Sequence, residues 1–209
     1  MTSPDLRVHV PDDIANGLDR LWAALAQPGC SFSSPQRIDM TLVARAAADH
    51  QPRPDTTMPE PILRAVEAVA VGAHHITAEW VDQLEADGVR RLTYLEILGV
   101  VALANAADTL AFGLGLTSPT LKRIAGNPTG GVDPEAAIKG GWAPTVGQAF
   151  AHNALSALPD LHTAKLDFTE SMYLAGPLIL DLDFARDGLT RDQIELVATR
   201  TSRLNECFF

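Results

Sequence analysis

Cysteine is nearly missing from this chain: Cys30 and Cys207 are the two thiols in 209 residues, too few for a disulfide framework. A reducing, cytoplasmic compartment is the resulting expectation. Positive charge is scarce as well. Sixteen Lys and Arg against 26 Asp and Glu give a net charge of −10, so there is no basic surface to neutralise phosphates and nucleic acid is not an expected partner. The N-terminus, Met-Thr-Ser-Pro-Asp-Leu-Arg, places no apolar run behind a basic region, and no signal peptide is expected. A long uninterrupted apolar run is lacking too. The longest, Leu95 to Leu116, is broken by Glu96, Asn105 and Asp108, which favours a buried core helix over a membrane span. Sustained alternation at period two is absent, and an all-α fold is predicted.

What is present reads as a series of helices. With 46% hydrophobic residues the chain can bury a real core. Pro11 to Ala26 carries Ile14, Leu18, Leu21, Trp22 and Leu25 at helical spacing, with Asp12 and Asp13 at its positive end. Ser34 before Pro35 reads as the cap of a second helix running to about Asp49, which the prolines of His50-Gln-Pro-Arg-Pro-Asp break. A third runs from near Pro61 to Gly72, and a fourth from Thr77 to Asp87-Gly88. Thr93 and Glu96 read as a capping box opening a helix to about Gly113 that is apolar almost all round and so belongs in the middle of a bundle. Five glycines and three prolines from Gly126 to Pro144 mark a linker or long surface loop. Val146 to Leu158 and Leu166 to Leu180 read as helical, with Pro177 kinking or ending the latter.

The final stretch carries the chemistry. Thr190 and Gln193 form a capping box, and Ile194, Val197, Ala198, Thr201 and Leu204 then recur as one stripe expected to be buried. Glu195 lies off that stripe, and Cys207 follows it by twelve residues. This spacing, with the run Thr-Arg-Thr-Ser-Arg-Leu-Asn-x-Cys, resembles the alkylhydroperoxidase D-like and carboxymuconolactone decarboxylase superfamily, in which a helix carrying a Glu leads into Cys-x-x-Cys with a His four residues beyond. The fold implied is a multi-helix bundle of alkylhydroperoxidase D-like type. Thr77 to Leu84 with Tyr94 to Leu110 resembles the closing helix pair of the peroxidase-related branch, Asn105 included, and Val146 to Leu155 resembles its opening helix.

A closing segment before an opening one implies two tandem copies: a degenerate domain over 1–121, a Gly/Pro-rich linker over 122–145 and the N-terminal part of a second domain over 146–209. In the first copy Asp39 falls near the acid position and Gln51 near the first thiol, without a cysteine.

In the family motif the second thiol attacks a hydroperoxide as thiolate and the first resolves the sulfenic acid as a disulfide. Cys207 matches the resolving position. Glu195 matches the acid that, with the motif's His, relays protons and lowers a thiol pKa. The resemblance implies a thiol-dependent alkyl hydroperoxide reductase, inactive or incomplete as given, with a small hydroperoxide and a thiol reductant as partners, no cofactor, and a homo-oligomeric state. A truncated gene, or a selenocysteine codon after Phe209, accounts for the missing half of the motif.

Two alternatives stand beside this. One is a non-catalytic helical domain that binds a partner or oligomerises. The other is a cysteine-independent lactone decarboxylase-like enzyme, which would need basic and histidine side chains converging in a pocket of the first domain. Cys30, His74-His75, His152 and His162 read as structural or solvated residues, since none has further ligands or a base at useful spacing. Gly113 and Gly115 follow a helix rather than a strand, which excludes a phosphate cradle.

Overall fold

The computed structural model describes residues 10–174 and 176–205. Seven α-helices make up most of the described residues: α1 Asp12–Leu25, α2 Ser34–Ala48, α3 Glu60–Val71, α4 Ala78–Ala86, α5 Arg91–Gly113, α6 Pro159–Met172 and α7 Arg191–Leu204. The all-α expectation holds at this level. The exception is a two-residue hairpin, β1 Ala185–Arg186 against β2 Leu189–Thr190. Its turn is Asp187-Gly188, both at positive φ (+51° and +82°), the conformation an Asp-Gly pair adopts in a two-residue hairpin. That dipeptide was the local signal for strands, and at two residues a strand is too short to show alternation.

The chain divides after Phe168 into two compact units. The linker expected over 122–145 lies inside the first of these units. In the first unit α5 is the central rod, packed by α1, α2 and α3. Ile97, Val100, Val101 and Ala104 on α5 are buried, together with Leu21 and Leu25 of α1, Met40 and Val43 of α2, and Leu63 and Val66 of α3. Each large aliphatic side chain so buried contributes about 1.5–3 kcal/mol. α5 is long and apolar enough, by length and composition, to cross a membrane, and its apolarity is here used against three neighbouring helices. Gly99 lets α6 approach: a Cβ there would sit 2.8 Å from Leu161 Cδ1 and 3.2 Å from Leu155 Cδ2.

Local signals placed most helix starts. Thr77 caps α4 by accepting the Trp80 N–H at 3.2 Å, and Gly88, at φ +95°, follows its end. Gly72 ends α3. Two caps are corrected. Ser33, not Ser34, is the N-cap of α2, its N–H bonded to Gln36 Oε1 at 2.9 Å. Ser34 is fully buried and its Oγ accepts the Ile124 N–H at 2.9 Å. Thr93 and Glu96 are no capping box, because α5 begins at Arg91 with Arg90 as its cap, and Glu96 is buried on the core side.

The segment 146–158 is not the helix its pattern suggested. One 3-10 turn, Ala151–Asn153, is all that forms. Gly147 takes φ +78°, and the Asn153 side-chain amide donates to the carbonyls of Val146 (2.9 Å) and Gln148 (3.0 Å). Helical backbone bonds would need those same carbonyls, so a side-chain bond has replaced a helix turn. The helix expected at Leu166 starts instead at Pro159, a favoured first-turn residue, and Gly176–Leu180 around Pro177 is a 3-10 turn.

The Gly/Pro-rich stretch from Gly126 is tied down along its length. Thr129 N–H bonds to Gly29 O at 2.7 Å, Gly130 N–H to Cys30 O at 3.1 Å and Asp133 N–H to Ala157 O at 3.0 Å.

In the second unit α7 starts where its capping box placed it, with Thr190 N–H bonded to Gln193 Oε1 at 3.0 Å. The expected burial of its stripe is not found. No residue of α7 is buried, and Val197 and Leu204 are exposed. The unit otherwise comprises the end of α6, a 3-10 turn and the hairpin, so among the described residues no second long helix faces the stripe.

Candidate functional site

Glu195 projects from the first turns of α7, where it accepts hydrogen bonds from the Tyr173 hydroxyl (2.6 Å), Arg191 Nε (2.7 Å) and Arg191 Nη2 (2.6 Å). The Tyr173 bond first, and the Arg191 guanidinium second, hold its carboxyl below the usual carboxylate range. The acid therefore stays ionised to lower pH than a free carboxyl, and all three contacts fall on its Oε1. Burial and the Glu195 carboxylate push the Tyr173 hydroxyl up. Cys207 lies outside the described residues, and its relation to Glu195 with it.

The sign of this pairing gives a measurable outcome. A raised tyrosine keeps its proton in the fold, so the bond persists through neutral pH and is lost as pH rises through the shifted value. A depressed Glu195 loses its contribution only as pH falls through its own. Tyr94 is also pushed up by burial, so neither of the two tyrosines should give phenolate absorbance at 295 nm until above pH ~10. Glu195→Gln should move one of the two midpoints down. An unchanged titration curve would mean the bond does not form in solution.

Asp39 and Gln51, the two positions the resemblance singled out in the N-terminal half, both have hydrogen-bond partners. Asp39 accepts from Thr56 Oγ1 (3.1 Å) and Arg123 Nη2 (2.6 Å). Gln51 donates to the Asp49 carbonyl at 3.2 Å from an exposed position.

The other thiol, Cys30, lies in the loop between α1 and α2. Burial first, and the nearby carboxylates of Glu96 and Asp160, push it up, the opposite of what a nucleophilic cysteine requires. Around it is a polar cluster that helical patterning did not reveal. Arg37 and Glu96, both 0% exposed, pair through Nε and Oε1 at 2.8 Å. Arg37 Nη2 reaches Asp160 at 2.8 Å, and Glu96 Oε2 accepts the Ser31 N–H at 2.5 Å. Arg37 Nη1 is buried without a hydrogen-bond partner among the described residues. Burial outweighs Arg37 and pushes the Glu96 carboxyl up. A charged residue on the buried face of each of two apolar helices was the available signal, and patterning assigned Glu96 to a cap.

Of the histidines, His74 and His75 lie exposed in a 3-10 turn with ring centroids 3.8 Å apart. His162 is lowered by burial, then by Lys165 and His152. Lys165 Nζ donates to the carbonyls of Ala151 (2.8 Å) and His152 (2.6 Å), and its stem lines an apolar hollow of about 250 Å³ against α5. Among the described residues no group of three or more His, Cys, Asp or Glu is placed to hold a metal.

A larger cleft, about 560 Å³, opens where the C-terminal ends of α2 and α3 meet the second half of α5. Its floor is the Arg45–Asp108 pair, bidentate at 2.8 and 2.9 Å. Arg45 also stacks over Trp22 at 5.0 Å from the ring centroid, and Ser118 Oγ donates to Asp108. Asn105 donates to the Ala70 carbonyl at 3.1 Å.

No protein-family model, no curated protein and no solved structure matches this chain.

Proposed function

We propose that the chain is a helical protein related, through the stretch around α7, to the thiol-dependent alkyl hydroperoxide reductases of the alkylhydroperoxidase D-like kind, and that its 209 residues do not by themselves complete a peroxidase cycle. The observation that carries the reading is the acid Glu195, held ionised on a helix that starts at the predicted capping box, twelve residues before Cys207. A peroxidase cycle of this type needs one thiolate to take the peroxide oxygen, becoming a sulfenic acid, and a second thiol to condense with it, releasing water and forming a disulfide. Neither thiol in these residues belongs to a Cys-x-x-Cys pair, and Cys30 is held away from the thiolate form. Glu195 supplies a carboxylate acceptor but lacks a neighbouring proton donor of histidine type among its described partners.

The test is peroxide consumption coupled to dithiothreitol oxidation. The expected rate is that of the uncatalysed mixture, for hydrogen peroxide and for cumene hydroperoxide alike. Turnover above that background, abolished by Cys207→Ser, would overturn the view that the cycle is incomplete. Turnover abolished by Cys30→Ser would overturn the assignment of chemistry to the α7 stretch.

A further inference from the structure

The cleft at the end of α2 and α3 has an electrostatic character set by geometry rather than by composition. Inside it the Arg45 and Asp108 charges cancel, since the guanidinium is engaged bidentately by that carboxylate. What remains is Asp49, the C-cap residue of α2, exposed at the wall and without an ion pair among the described residues. The ends of two helices also converge there, with Ala48 the last residue of α2 and Ala70 in the last turn of α3. Each helix C-terminus carries about half a negative charge on its carbonyls. Asn105 spends one of its two amide N–H groups on the Ala70 carbonyl, which leaves its Oδ1 acceptor together with a second N–H.

Two further features give the cleft a shape preference. Phe112 stands at the rim, 85% exposed although it belongs to the most apolar helix of the chain. Its ring face is therefore open to a cation. Asn105 and Thr109 also line an adjoining, mainly apolar shelf with Ala106, Leu110 and Leu114. A wall left net negative by Asp49, an exposed aromatic ring and an apolar shelf along one helix together describe a receptor for a molecule with a positive head and a short aliphatic body.

We propose that this cleft binds a small aliphatic amine in its ammonium form, the head between Asp49, Asn105 Oδ1 and the Phe112 ring and the alkyl arm along α5 over Leu110. This is independent of any peroxide chemistry, because it uses neither thiol nor Glu195.

The probe is n-hexylammonium chloride, titrated into the full chain at constant ionic strength with amide chemical shifts as the readout, and with sodium hexanoate as the matched anion. The expected result is saturable shifts clustered on residues 105–114 and around Asp49 with the amine, and none with hexanoate. Asp49→Asn and Phe112→Ala, both at exposed positions, should each weaken the amine about three-fold, the size of an exposed charge or cation–π contact, while the melting temperature stays unchanged. The proposal is overturned if shifts fail to saturate, if they are scattered over the acidic surface, if hexanoate binds as well as the amine, or if both variants bind hexylammonium like the parent chain.

Discussion

Arg37→Met is expected to destabilise the first unit by about 3–5 kcal/mol, the cost of removing one partner of a buried ion pair, read as a lower urea midpoint at unchanged slope. Methionine fills much of the volume of the arginine stem, so the loss reflects charge rather than a cavity. It would leave the Glu96 carboxylate fully buried with the Ser31 N–H as its remaining described hydrogen-bond donor. Adding Glu96→Gln to Arg37→Met removes that stranded charge while keeping an acceptor for Ser31, and should recover at least half of the loss. The third member, Asp160, is 44% exposed at its side chain, so Asp160→Asn should cost no more than about 1 kcal/mol. If Arg37→Met changes stability by less than about 1 kcal/mol, the pair is not the anchor the geometry describes.

Gly29→Ala should be comparably damaging for a steric reason acting on the same atoms. A Cβ at Gly29 would lie 1.8 Å from Arg37 Nη2 and 2.1 Å from Glu96 Oε1. Side-chain ends elsewhere give way cheaply, but these are held between each other, Asp160 and Ser31. The glycine backbone cannot retreat either, since its N–H bonds to Phe32 O at 2.8 Å and its carbonyl accepts from Thr129 N–H at 2.7 Å. Displacing the ion pair or the loop should therefore cost about 3 kcal/mol or more. In the double variant Arg37→Met, Glu96→Gln the same Gly29→Ala change should be milder, because uncharged, more flexible side chains can yield. Equal cost in both backgrounds would assign the penalty to the backbone alone.

These two substitutions locate what holds the α1–α2 loop and the 124–131 segment onto α5. Cys30 lies in that loop, next to the cluster that both variants would disturb. Its thiol is half-buried, and partial burial with the nearby carboxylates of Glu96 and Asp160 disfavours its thiolate.

Several helix starts and ends set by a short-range device were legible, Thr77 on Trp80, Gly72 and Gly88 after helix ends, Thr190 with Gln193, while the Ser33–Gln36 box of α2 was placed one residue late. Such devices act within about four residues, and their donors and acceptors are visible in the letters. The segment 146–158 misled because Asn153 satisfies backbone carbonyls that a helix would have used, a choice that hydrophobic spacing does not encode.

The sequence by itself determined the helical class, the identity of α5 as the central rod and the cap at which α7 begins, because these follow from local hydrogen bonding and from the density of apolar side chains. Tertiary structure alone decided that Arg37 and Glu96, 59 residues apart, share one dry interior, that Asp49 and Phe112 border one cleft, and that Val197 and Leu204 of the α7 stripe stay exposed. Periodicity states which face of a helix is apolar. Whether anything comes to cover that face, and which charge meets which, depends on chain segments far away in sequence.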